Sequence, residues 1–297
     1  MPTRRIMTDG FFLNAATARR IFERDIAPDI FRHARASGER LAILFGGQPG
    51  AGKTGLVDRE APGIDAVVIE GDQMHAYHPA LDTIRERHGT DAALHTGPDA
   101  GRWTEMAIAH GIAQGYNLAI EGTMRSVEIV RTAAGQLRAA GYAVEAHVMA
   151  VPDLQSWQGV HMRYERQYEI DPRCAHFTPR AAHDAAYAGM LDTLAAIEAE
   201  CLVDAVVIHT RTTAVIYDSA PGPDRDRADA RGMTMMMRAA PFTPEQAILH
   251  DQDWAAIEAK QKVRGAPDAE RDPIAERRRR DYLDMKGRDE ASGDAFG

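Results

Sequence analysis

Residues 47 to 54 read Gly47-Gln48-Pro49-Gly50-Ala51-Gly52-Lys53-Thr54, which satisfies the spacing G-x-x-x-x-G-K-[ST]. Each residue type suits the cradling of a nucleotide's phosphates. The glycines let backbone N–H groups converge on a phosphate without side-chain obstruction. Lys53 can reach the β- and γ-phosphate oxygens as a mobile point charge, and the Thr54 hydroxyl is of the kind that binds Mg²⁺. A helix starting near Gly52 would aim the positive end of its dipole at the anion. The loop therefore predicts binding of ATP or GTP with Mg²⁺ and is silent on what receives the phosphate.

Two acids downstream bear on that question. Asp72 follows AVVIEG, and Glu121 ends NLAIE, with Thr123 and Arg125 just after it. Ligands of parallel α/β sheets lie beyond the carboxyl ends of the strands. A kinase needs a carboxylate to take the proton of an acceptor hydroxyl, and an acid that holds Mg²⁺ directly or through water. Asp72 and Glu121 are placed for these two jobs. A single acid at such a position is as readily a solvated turn residue; two beside a phosphate loop point to a site. Val160 to Tyr187 is dense in Arg, His and Tyr, and offers Arg163, Arg166 and Arg173 to bridge phosphates. Taken singly, each of these arginines is an ordinary surface residue. His75, His78, His88 and His95 have no zinc spacing.

The elements that must position these residues are short apolar runs alternating with helical stretches. Leu41–Phe45, Ala66–Glu70, Asn117–Glu121, Tyr142–Val151 and Cys201–His209 read as buried strands. Glu105–Gln114 and Val127–Ala140 read as helices, and Asn14 to about Gly38 is mostly helical, with Pro28 kinking or dividing it. This alternation predicts an α/β fold, a parallel sheet covered by helices on both faces. The organisation expected is an N-terminal helical segment (1–38), a P-loop domain (39–218) and a charged C-terminal tail with helical pieces (219–297). PGPDRDRADARG reads as a linker and MTMMMR as local packing in a flexible segment. Arg277 to Arg280, closely flanked by acids, reads as a solvated helix face or disorder.

Composition bounds the function classes. With 297 residues, 44% apolar, 27% charged and net charge −9, the chain is of the globular type and carries no basic footprint for nucleic acid. Cys174 and Cys201 form no CxxC, which fits a reducing compartment. No signal peptide or membrane-spanning run is read, so a cytoplasmic location is expected, with no membrane or nucleic-acid partner.

With these residues in place, the chain resembles the zeta toxin family of bacterial toxin–antitoxin systems. The segments GGQPGAGKT, VVIEGDQMHAYHP, RWTEMAI, GYNLAIEGTMR, VMAVP, RYERQY and TPRAAHD carry the resemblance in the family's order, from about Leu41 to Asp218. The resemblance implies a P-loop kinase moving the γ-phosphate of ATP or GTP to the 3′-hydroxyl of UDP-N-acetylglucosamine. The product would block peptidoglycan synthesis, and an antitoxin would dock a helix over the nucleotide site. It further implies Asp72 as catalytic base, Lys53 and Thr54 as phosphate and Mg²⁺ ligands, and Arg163 as a lid arginine clamping phosphate. Glu105, Glu121, Thr123 and Arg125 would line the substrate pocket. The family's second lid arginine is replaced by His176 in CAHFTP. A neutral imidazole has no fixed charge and no bidentate fork, so Arg173 would swing in, His176 would do a weaker version of the job, or turnover would be lower.

Two other readings stay open. One is a P-loop kinase of another small hydroxyl compound or nucleotide sugar. The other is a non-catalytic nucleotide-binding regulator whose tail recruits a partner. Asp72 and Glu121 weigh against the second.

Overall fold

The structure, a computed structural model, describes residues 10–172, 175–219 and 229–293, with residues 90 and 282–293 described by their backbone alone. In chain order the elements are helix α1 (Ala15–Ile21), a π-helical turn (Phe22–Ile26) and α2 (Ala27–Ile30), then β1 (Leu41–Gly46) and α3 (Lys53–Glu60). β2 (Val67–Glu70), a 3₁₀ turn (Gly71–Tyr77), α4 (Leu81–His88), α5 (Ala92–Gln114) and β3 (Leu118–Glu121) follow. Next come α6 (Val127–Ala139), β4 (Ala143–Met149), α7 (Asp153–Ile170), α8 (Arg180–Ala199), β5 (Ala205–His209) and β6 (Val215–Asp218). The chain continues with α9 (Ala230–Ala239), α10 (Pro244–Val263) and α11 (Asp268–Gly293).

The sheet order is β2-β3-β1-β4-β5-β6. The first five strands are parallel, and β6 pairs antiparallel with β5, so the sheet is mixed rather than wholly parallel. Side chains alternate between faces. Ala42, Leu44, Leu118, Ile120, Val144, Ala146 and Val148 join the larger core with the N-terminal helix, α5, α6 and α8. Ile43, Phe45, Ala119 and Met149 face the opposite way, onto Leu56 and Val57 of α3. A continuous apolar run such as LAILF is what a strand covered on both faces requires.

Asn117 aligns the strand starts. Its Oδ1 accepts from Leu41 N (2.9 Å), its Nδ2 donates to Ile64 O (2.7 Å), and its carbonyl accepts from Val67 N (2.8 Å). The register that results sets Phe45 and Glu70 either side of Glu121. The phosphate loop, Asp72 and Glu121 therefore leave the sheet at one level, at its carboxyl edge.

The N-terminal helix passes through Pro28 without breaking. A π turn precedes the proline, and Ala27 N bonds Phe22 O instead of the carbonyl four residues back. Helix α5 begins well before Glu105, because Gly97, Pro98 and Gly101 mask its first half. The C-terminal helices are packed on the body. α9 lies on α8 and β5, α10 lies against α7, and α11 packs on α10. The basic run Arg277–Arg280 is partly bound: Arg277 pairs with Asp281 (2.7 Å) and Arg278 with Asp251 (2.7 Å) and Glu258 (2.8 Å). No described helix is long and apolar enough to cross a membrane.

Candidate active site

The loop from Gly47 to Gly52 connects the end of the central strand to α3. Gly50 has φ +77°, and a Cβ there would collide with the Ser156 carbonyl of α7. Gly52, at φ +97°, caps α3 with no side chain over its first N–H groups. Pro49 follows Gln48, whose carbonyl accepts from Ala51 N (3.1 Å) and closes the turn. Gln48 is fully buried, and its Nε2 donates to Val151 O at 2.7 Å. Its side chain anchors the loop to the end of β4 and does not face a phosphate. Thr54 is exposed on the first turn of α3.

Lys53 is 8% exposed and donates to Gly47 O (2.9 Å), with Glu121 Oε1 3.7 Å away. Burial lowers the Lys53 pKa, and the carboxylates of Glu121 and Asp72 oppose that. Burial likewise raises Glu121 above the usual carboxylate range, against the attraction of Lys53. Glu121 Oε2 is buried with no hydrogen-bond partner. A buried acceptor left over beside a lysine and an exposed threonine fits a site that takes Mg²⁺ with a triphosphate.

Asp72 is the second residue of the 3₁₀ turn after β2. Its carboxylate is 71% exposed to the cleft, with Arg163 Nη1 3.5 Å from Oδ2. The side chain is open to water, and the cleft walls around it only partly desolvate the carboxyl and push its pKa up; Arg163 and Lys53 pull harder, and the carboxyl ends below its ordinary value. Asp72 is thus ionised at neutral pH and free to accept a proton. Arg163 is held from the other side by Thr178, whose Oγ1 accepts from Nη2 at 2.7 Å. The Arg163 Nε is buried without a partner.

His176 stands in the same cluster. Its ring lies parallel to that of His75 at 6.0 Å, and its backbone N donates to Gln167 Oε1 (2.9 Å). Burial pushes its pKa down to about 4, with Arg163 and His75 adding repulsion against the pull of Asp72. His176 is therefore neutral at pH 7 and adds no fixed charge beside Arg163. Arg173 and Cys174 lie outside the described residues; Arg166 is exposed on α7.

The loop after β3 carries Thr123, half-buried, and Arg125, exposed, on either side of Met124. Met124 adopts φ +49° and packs against Gly46, where a Cβ would strike its sulfur. The Arg125 backbone rests on Gly189 of α8. Glu105 is not drawn into the Asp72 cluster. It lies exposed on α5, in a groove of about 640 Å³ shared with Met106, Ala109 and Gln136 of α6.

Sequence reasoning missed several residues that shape the site. Thr178 orients Arg163, and His75, held by Thr96 Oγ1 (2.6 Å), adjoins Asp72. Arg211 donates to Gly50 O at 2.8 Å. Its position just past a strand's carboxyl end was the available signal. Among the described residues one acid–histidine cluster could hold a metal, Asp153, His183 and Asp184. Arg180 already supplies its cation, 2.7 Å from Asp153 and 2.8 Å from Asp184.

The zeta toxin family profile matches residues 28–221. The chain is 34% identical to Toxin zeta of Streptococcus pyogenes over 202 residues, 67% of this chain and 70% of that protein. It is 32% identical to Toxin PezT of Streptococcus pneumoniae serotype 4 over 191 residues, 63% of this chain and 75% of that one. Among solved structures, one from the PezAT chromosomal toxin–antitoxin system of Streptococcus pneumoniae superposes with TM-score 0.72 at 23% identity, covering 83% of this chain and 98% of that one. A chain of the AvrRxo1-ORF1:AvrRxo1-ORF2 complex with ATP gives TM-score 0.51 at 9% identity, covering 80% and 78%.

Proposed function

Because the chain belongs to the zeta toxin family, we propose that it is a kinase that transfers the γ-phosphate of ATP or GTP to the 3′-hydroxyl of UDP-N-acetylglucosamine and so acts as a toxin against peptidoglycan synthesis. The observation that carries the kinase reading is the ionised Asp72 carboxylate beside Arg163, facing the cleft that Lys53 and Glu121 close from the phosphate-loop side.

In this reading Lys53 exchanges the carbonyls of Gly47 and Gln48 for β- and γ-phosphate oxygens. Asp72 orients the acceptor hydroxyl and takes its proton as the oxygen–phosphorus bond forms. The bridging oxygen keeps the electron pair of the breaking bond and leaves on the diphosphate. Arg163 neutralises charge on the transferring group. Phosphoryl transfer passes through a loose transition state, so a base of lowered pKa suffices, since orientation counts for more than basicity. Thr54 and Glu121 would hold Mg²⁺, which when bound would draw charge from the phosphates.

A regulator without transfer chemistry would have no use for Asp72 paired to Arg163. An antitoxin partner is part of the proposal, and the toxin–antitoxin description of the PezAT neighbour supports it. The test is a panel of hydroxyl acceptors, UDP-N-acetylglucosamine included, incubated with protein, ATP and Mg²⁺ and read by mass spectrometry. A singly phosphorylated UDP-N-acetylglucosamine supports the reading. Phosphate on another acceptor alone would redirect it to another small-molecule kinase. Growth arrest on expression that survives Lys53→Ala would favour the binding module.

A further inference from the structure

We propose that Arg238, on α9 and beyond the family-matched residues 28–221, is a positioning residue for the phosphate loop. The inference rests on the nucleotide-binding part of the function above and not on the acceptor.

Helix α9 is built to bring this residue inward. Asp229 caps it, accepting from Gly232 N at 2.7 Å. Ala230, Thr234 and Arg238 then recur at four-residue spacing and are all buried, while Met235 and Met236 point to solvent. Two of the four methionines of this stretch thus form the outer face, Met237 packs against the main core, and the arginine is the buried end of the inner face.

The guanidinium, 8% exposed, is held in a fixed plane. It lies 3.9 Å over the ring of Tyr187, and Nη1 donates to Tyr187 O at 2.6 Å. Its Nη2 donates to Gln48 Oε1 at 3.0 Å across 190 residues of sequence. Arginine can only donate, so this bond fixes which end of the Gln48 amide faces it. The other end donates to Val151 O at 2.7 Å. Gln48 is therefore tied at both ends, between the tail and the end of β4. Its own carbonyl is one of the two near Lys53 Nζ, at 3.4 Å. The path from Arg238 through Gln48 to the catalytic lysine is short and wholly buried.

No carboxylate forms an ion pair with Arg238 among the described residues, and its Nε has no partner. Burial pulls its pKa down to about 10, which leaves it charged at neutral pH. A buried cation with no acid at ion-pair distance, and only the more distant pull of Asp153, is a poor device for stability alone, since an apolar residue of like volume would serve as well or better. What it does here is hold an amide in one orientation behind the phosphate loop. Arg211, bonded to Gly50 O, braces the next turn of the same loop. Both arginines bind groups of the loop itself and set the shape of the cradle.

The experiment uses full-length protein and direct titration with ATP and Mg²⁺ by calorimetry, with thermal unfolding alongside. Arg238→Gln should weaken ATP binding about tenfold, as loss of one charge-assisted hydrogen bond implies. Gln48→Met should weaken it similarly, and the double variant should be no weaker than the worse single one, because both act through one bond. A purely structural role would lower the unfolding midpoint and leave the affinity of the folded protein unchanged. If Arg238→Gln does not fold, Arg238→Lys keeps the charge and stem but cannot serve Tyr187 O and Gln48 together, and should show the same loss. Affinity within about twofold of wild type in a folded variant, or fully additive losses in the double variant, would overturn the proposal. Wild-type protein that binds no triphosphate would overturn this inference and the function together; failure on the acceptor panel alone leaves this one standing.

Discussion

Replacing Asp72 by Asn changes one charge and almost no volume. In the structure that charge lies 3.5 Å from Arg163 Nη1 and also acts on Lys53. Because the carboxylate is mostly open to the cleft, its attraction to Arg163 belongs near the solvent-screened end of the scale, about 1 kcal/mol. The same figure bounds the loss of fold stability, so the unfolding midpoint should move by no more than about 3 °C. Two opposite effects on function follow. Removing an anion beside Lys53 and Arg163 releases both cations for the triphosphate, so ATP should bind equally well or up to about fivefold more tightly. Removing the proton acceptor should lower kcat by about 10² to 10⁴. Calorimetric titration with ATP and Mg²⁺ beside single-turnover transfer separates the two. Weaker ATP binding would mean that Asp72 serves the nucleotide and not the acceptor. Retained transfer would remove it from the chemistry altogether.

Arg163→Gln removes the largest influence holding the Asp72 pKa down, so that pKa should rise. The acid limb of the kcat profile should then move to higher pH, along with a fall in kcat of about a hundredfold, whereas an unmoved limb would uncouple the two residues. His161 and His176 are each pushed from 6.5 to about 4, chiefly by burial. The unfolded chain therefore binds protons that the folded one refuses. Stability should be full above pH 6.5 and fall as pH drops toward 4, by about 3 kcal/mol for each histidine, measurable by denaturant titration across that window. Flat stability there would place these rings in contact with water. Gly50→Ala forces a Cβ against the Ser156 carbonyl at φ +77° and should cost about 2–3 kcal/mol with loss of ATP binding; near-normal affinity would show that the loop does not pack on α7 as described.

The local part of this site was legible in the sequence. The phosphate loop follows a strand and opens a helix, and Asp72 and Glu121 follow strands of the same sheet, so motif and strand-end reasoning reached them. Strand β6 was not read, because VIYD is short and its burial is partial. The first half of α5 was hidden by Gly97, Pro98 and Gly101, whose helix-breaking tendency is overridden by packing around Trp103, 0% exposed, and Asp99, which accepts from Leu13 N. Least legible were the long-range ties. Nothing in MTMMMR announces that its arginine reaches Gln48, and nothing in RYERQY shows Glu165 in a bidentate pair with Arg264 (2.8 and 3.0 Å). Such pairs depend on tertiary placement that periodicity does not encode. These pairs tie the helical tail to α7, the helix that also carries Arg163.

The most direct measurement is to incubate the wild-type protein with ATP, Mg²⁺ and UDP-N-acetylglucosamine and to locate the new phosphate by phosphorus–proton correlation spectroscopy. The account predicts one product, coupled at the proton of the sugar's 3′ carbon, and none from Asp72→Ala under conditions where that variant still binds ATP. Release of inorganic phosphate with the sugar nucleotide unaltered, or equal product from the variant, would contradict it.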